Sequence, residues 1–166
     1  MRARARTSLR GFSSVEIAAA VAVVGSLLAV AVPAFVRNVS ASHLVEATEG
    51  LARIQEGVVA LAKTDGHLPE ATPLTPAAVP RAERVLDPPG TWDAPGWRAI
   101  HFSAAPEGMS HRYAFAMDRP SEGELVARAH GDLDGDGVLS AFELRLVKDP
   151  DGAHAVGGLI VSEELE

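Results

Sequence analysis

The distribution of apolar and polar positions divides the chain into four stretches of different character. Residues 17–36 read IAAAVAVVGSLLAVAVPAFV, twenty positions without a charge, bounded by Glu16 and Arg37. As a helix this run measures about 30 Å, the thickness of a bilayer's hydrocarbon layer. Beyond Arg37 the polar share rises while helical spacing persists, with Leu44, Thr48, Leu51, Gln55, Val58 and Ala62 recurring at steps of three and four. That stripe has few large residues, which suits close packing on a sheet. Thr64-Asp65-Gly66 followed by Pro69 predicts a stop near Lys63 or Thr64. Running continuously from Phe12, such a helix is about 80 Å long.

Residues 69–96 hold seven of the eleven prolines, so neither a long helix nor a central strand fits there, and a meandering surface loop is expected. Trp92 and Trp97 are expected to fold back as core anchors, since large aromatic side chains favour burial. Strand-like runs follow at 97–102, 112–117, 124–129, 142–147 and 158–162, separated by Pro, Gly and Asp clusters. In the third, Leu125, Ala127 and Ala129 alternate with Val126, Arg128 and His130, as in a strand with one face inward. The economical assembly is an α+β fold in which a small antiparallel sheet leans on the second half of the helix.

With 166 residues the chain suffices for one compact domain and an extended element. The formal charge is −7, but Arg2, Arg4, Arg6 and Arg10 all lie in the first ten residues, which contain no acid. Without residues 1–11 the balance is 11 basic against 22 acidic, leaving no basic face for phosphates and arguing against nucleic acid as a partner. The basic arm predicts that residues 1–11 stay cytoplasmic while the carboxy-terminal part lies across the membrane. There is no cysteine, hence no disulfide and no thiolate metal site.

Three readings compete for the amino terminus. Ala29-Val30-Ala31 is a pattern that signal peptidase accepts, although the apolar run is long for a signal peptide. A plain membrane anchor is the second. Neither explains Glu16, a carboxylate set where charge is costly and where a signal or anchor gains nothing from it. The third reading rests on Gly11-Phe12-Ser13-Ser14-Val15-Glu16, which resembles the processing site of type IV prepilins. Ser13-Ser14-Val15 departs from the commoner threonine-leucine-isoleucine type of triplet. Gly25, Pro33 and the turn Gly66-His67-Leu68-Pro69 also resemble the family, and the stretch between Gly25 and Pro33 is one that can kink or melt.

That resemblance implies cleavage between Gly11 and Phe12 by a prepilin peptidase, methylation of the Phe12 amine, and pairing of Glu16 with the Phe12 amine of a neighbouring subunit. It divides the chain into a leader over 1–11, a membrane-spanning and polymerising half-helix over 12–36, an amphipathic half over 37–64, a proline-rich connecting loop over 65–96 and a sheet head over 97–166. The implied fold is pilin-like, a long amino-terminal helix packed on a small antiparallel sheet. The implied function is structural: a subunit of a type IV pilus or type II secretion pseudopilus, assembling with copies of itself and related minor subunits through an inner-membrane platform. The head is then extracytoplasmic, first on the inner membrane and afterwards in a periplasmic or cell-surface filament. The rival is a periplasmic or membrane-anchored calcium-binding module that does not polymerise.

One metal motif stands out. Residues 132–143, DLDGDGVLSAFE, fit a twelve-position calcium loop, with Asp132, Asp134 and Asp136 at positions one, three and five and Gly137 at the sharp turn. Val138 would give its carbonyl, Ser140 a side chain or bridging water, and Glu143 a bidentate carboxylate, while Leu139 is expected to point inward. No paired-helix frame surrounds the loop, and an Asp-Gly-rich turn without metal is the bland alternative. Magnesium fits less well, because it seldom uses an all-protein cage. By resemblance, calcium takes the place of the disulfide with which many pilins close this part of the head. The six histidines lack ligand spacing and read as surface or strand residues. No phosphate-cradling loop, nucleophile elbow or zinc-peptidase helix is present, so the chain is not expected to be an enzyme.

Overall fold

The computed structural model describes residues 12–162, the side chains of residues 36–43 excepted. The leader expected over residues 1–11, with Gly11 at its cut, lies outside the described residues. Two compact units are distinguished, Met1–Val39 and Ser40–Glu166, and helix α1, Ser14–Asp65, contributes residues to both.

In the first unit the segment Ser14–Phe35 has a mean hydropathy of 2.4 and none of it is buried. It is long and apolar enough to cross a membrane. A helix is also the form that hydrocarbon demands, because each backbone N–H and C=O is paired within the segment. The hydroxyl in its interior is satisfied in the same way, Ser26 Oγ donating to the Ala22 carbonyl at 2.8 Å. Gly25 and Pro33 both lie within helical backbone.

The second unit is an α+β body. Its six-stranded antiparallel sheet has the order β1 (Thr72–Thr75), β2 (Ala114–Ser121), β3 (Glu124–Gly131), β4 (Ser140–Asp149) and β5 (Gly152–Ala155), with β6 (Ile160–Ser162) also on β4. One edge of β4 is lined by β3 over Ser140–Val147; the other is shared, β6 covering Ala141–Glu143 and β5 covering Leu146–Asp149. The inward positions of β3 are Leu125, Ala127 and Ala129, the alternation read from the sequence, although Val126 on the other face is buried too. They meet Phe115, Phe142, Leu144 and Leu146 in one core with Ala47, Leu51, Ile54 and Val58 of α1. The helical stripe is thus rotated from the expected one: Thr48 is exposed, and Ala47 and Ile54 take the inner places. Close approach explains the shortage of large residues, since a Cβ on Gly50 would lie 2.3 Å from the Phe115 ring.

Two expectations need correction. The run at 97–102 is not a strand: α2 spans Pro95–Ala99 and buries Trp97, because proline at the first helical turn favours a helix start. The proline-rich connection is not wholly a surface loop either. It contributes β1, an edge strand that tolerates Pro73 because it pairs only with β2. It is also pinned where Asp87 Oδ2 accepts hydrogen bonds from Trp92 Nε1 at 2.6 Å and His111 Nε2 at 2.7 Å. His111, read as a surface or strand residue, is 1% exposed, and its backbone exchanges two hydrogen bonds with Val85. Trp92 and Trp97 do anchor the core, with ring centroids 5.6 Å apart in an edge-on contact.

The outer face of the sheet carries a pH-sensitive imidazole. His130, opposite Ala114, is half-buried, and that burial together with the positive charge of Arg128 holds its pKa below the ordinary imidazole value. Below about pH 6.5 the unfolded chain therefore binds the proton more readily than the folded one. Its contribution to stability is complete above that value and shrinks as the pH falls through it. The melting midpoint should drop between pH 7.5 and 5.5, and His130→Gln should flatten that drop when both proteins are melted in parallel.

Candidate functional site

Between β3 and β4 the chain makes a tight loop whose aspartates organise the backbone. Asp132 Oδ1 accepts from the Gly135 amide at 2.8 Å, Asp134 Oδ1 from Asp136 at 3.0 Å, and Asp136 Oδ1 from Val138 at 2.7 Å. Gly135 and Gly137 adopt φ of 84° and 94°, a left-handed conformation that glycine takes without a Cβ penalty. The three carboxylates are folded toward a common centre, each offering an oxygen within 4.8 Å of the others. Two unit charges about 5 Å apart repel by roughly 0.8 kcal/mol even in water, and more beside protein. Asp132 cannot swing out, for its side chain is fully buried, and its Oδ2 has no hydrogen-bond partner. Three hard oxygen donors without a nitrogen or sulfur ligand suit a calcium-like cation. The cluster could hold a metal ion.

The structure does not bring Glu143, the last position of the twelve, together with these three. β4 begins at Ser140, so side chains there alternate with a period of two. Glu143, three residues on, falls on the opposite face from Ser140, whereas a helix would have placed both on one side. Its carboxylate binds Arg128 Nε at 3.0 Å and Arg145 Nε at 3.1 Å. Burial pushes the Glu143 pKa up, but the hydrogen bonds from Arg145 and Arg128 outweigh it and the net shift is downward. Ser140 is buried and donates its hydroxyl to the Gly131 carbonyl at 3.1 Å. Val138 is exposed. Leu139, expected inward, is 38% exposed, since the residue before an inward Ser140 falls on the outer side.

Sequence reasoning missed the neighbour of this loop. Arg81 pairs with Asp132 in an isolated parallel bridge, and the Ala82 amide donates to the Asp132 carbonyl at 2.7 Å. Nothing local in the sequence announces that contact, because the two segments meet only through the tertiary fold.

At the start of α1, Phe12 is 84% exposed and Glu16 lies in the first turn. The Ser13 amide donates to Glu16 Oε2 at 2.7 Å and the Glu16 amide to Ser13 Oγ at 3.3 Å. This reciprocal capping box satisfies two amides that a helix start leaves open. Glu16 therefore has a local role even in a simple anchor, contrary to the argument from sequence. The signal was legible as Ser13-x-x-Glu16.

Comparisons with protein-family models, with curated proteins and with solved structures find no match for the chain.

Proposed function

We propose that the chain is a type IV pilin-like filament subunit, cut between Gly11 and Phe12 by a prepilin peptidase and held in the bacterial inner membrane by α1 until an assembly platform builds it into a pilus or secretion pseudopilus. The observation that carries this reading is the 22-residue apolar helix, exposed along its whole length, with Phe12 and Glu16 at its head. Apolar surface of that extent needs lipid or other helices around it. The acidic second unit, with its own core, would form the filament exterior, steadied by one calcium on Asp132, Asp134 and Asp136.

Mass spectrometry of the native protein tests the proposal. The mature chain should begin with an N-methylated Phe12. A chain beginning at Val32, after the signal-peptidase pattern, would have lost the polymerising helix and overturns the proposal. The capping box favours a second reading, a singly anchored calcium module that does not polymerise, because it gives Glu16 work to do without any neighbour.

A further inference from the structure

Among the three clustered aspartates only Asp132 is buried, and a buried carboxylate oxygen without a hydrogen bond is costly unless a cation stands near it. Among the described residues one side chain is ion-paired with the cluster: Arg81, whose Nε lies 3.6 Å from Asp132 Oδ2. That separation is too long for a hydrogen bond, and the Arg81 side chain is 74% exposed. Its backbone is held far more firmly than its head. The Ala82 amide is bonded to the Asp132 carbonyl, the Ala82 carbonyl accepts from Arg112 at 2.9 Å, and a Cβ on Gly135 would sit 3.3 Å from that of Ala82. The proline-rich connection is thus fastened to the loop by main chain while its guanidinium rests loosely at the loop's buried anion.

We infer that Arg81 is a built-in counter-ion of the aspartate cluster, standing against Asp132 in the empty loop and displaced by a divalent cation, so that the connection sets the cation affinity. This rests on the reading of the cluster as a cation site. A divalent ion entering among the three carboxylates would lie within a few ångströms of the guanidinium, so it must both break the Arg81–Asp132 pair and drive the like charge outward. Because the guanidinium is exposed and the main chain beneath it is fixed, displacement needs only rotation of the arginine side chain into water. The affinity of the site is then lower than three carboxylates alone would give.

The experiment is titration calorimetry of the full chain in detergent micelles with calcium chloride, using the wild type, Arg81→Gln and Arg84→Gln. Arg84→Gln removes the same charge three residues away from a side chain bonded to Ser110 and paired with Glu46. Loss of the competing pair should tighten calcium binding by about five-fold in Arg81→Gln, on the scale of an exposed ion pair, and by less than about two-fold in Arg84→Gln. Binding by Arg81→Gln alone, with the wild type silent, supports the inference more strongly still. Equal gains in both variants would mean that net charge alone matters and would overturn it. Calcium binding by the wild type with no change in Arg81→Gln overturns it as well and leaves the metal site standing. If neither the wild type nor Arg81→Gln binds calcium, the metal reading fails and the counter-ion role goes with it.

Discussion

Calcium should raise the melting midpoint of the protein by roughly 10 °C at a hundredfold excess over its dissociation constant, and chelator should abolish the rise. A ligand that binds only the folded state stabilises it by RT ln(1 + [L]/Kd), about 2.7 kcal/mol at that excess. For a body of this size each kcal/mol moves the midpoint by about 3–5 °C. Loops of this kind on extracellular modules bind at about 10⁻⁴–10⁻³ M, so a hundredfold excess corresponds to about 10–100 mM calcium, and about 1 mM gives a smaller rise. Asp134 is exposed, and its side chain bonds only to the Asp136 amide of the same loop, so Asp134→Ala should remove most of the gain without lowering the midpoint measured in chelator by more than a few degrees. Glu143→Ala should behave in the opposite way. It releases Arg128 and Arg145 from their shared carboxylate and lowers the chelator midpoint, yet keeps most of the calcium gain, because that carboxylate faces away from the aspartates. Superimposable melting curves with calcium and chelator, together with silent calorimetry at millimolar calcium, would reduce the cluster to a solvated turn.

The parts of this fold that were legible in the sequence are those set by local periodicity. An uncharged run of twenty residues needs no tertiary information to be read as a membrane-length helix, and the alternation in β3 is a property of one strand. What failed depended on which local signal was given weight. At 97–102 the aromatic and β-branched residues suggested a strand, while Pro95 at the helix start and the three-residue spacing of buried Trp97 and Ile100 carried the correct helical signal. The short β5, GAHA, has neither large nor branched residues and becomes a strand only because the edge of β4 is there to pair with.

The candidate site shows the same division. Aspartates at alternate positions, with Gly135 and Gly137 among them, fixed the three-carboxylate cluster, because the hydrogen bonds that the three carboxylates accept run between residues two or three apart. Glu143 was placed by counting along a twelve-residue template whose last turn is helical, and here that turn is replaced by a strand. Position in a motif became position in a sheet, and the carboxylate rotated to two arginines instead of the cluster. Arg81 could not have been found by any count, since its approach to Asp132 depends on how the proline-rich connection is pinned by Asp87, Trp92 and His111.

Replacement of Glu16 should separate the two roles open to it and, with them, the two readings of the protein. In a filament, the Glu16 carboxylate would meet the Phe12 amine of a neighbouring subunit between packed apolar helices. A charge left unpaired in such surroundings costs about 3–5 kcal/mol, enough to make assembly fail when its partner is removed. Within one chain, however, Glu16 closes a capping box, and loss of a helix cap costs about 1 kcal/mol. Glutamine serves as well as glutamate at the third position of a capping box, but it carries no charge. Glu16→Gln therefore keeps the cap and deletes the ion pair, whereas Glu16→Ala deletes both. If Glu16 sets the register between subunits, cells expressing either variant as the sole copy should process and insert the protein at wild-type levels while sheared filaments fall at least tenfold, as measured by immunoblot of the sheared fraction. Normal filament yield from Glu16→Gln, with a deficit confined to Glu16→Ala, would mean that the carboxylate is a helix cap and no more. Filament absence in the wild type as well, with Phe12 intact at the mature terminus, would instead favour the anchored module that does not polymerise.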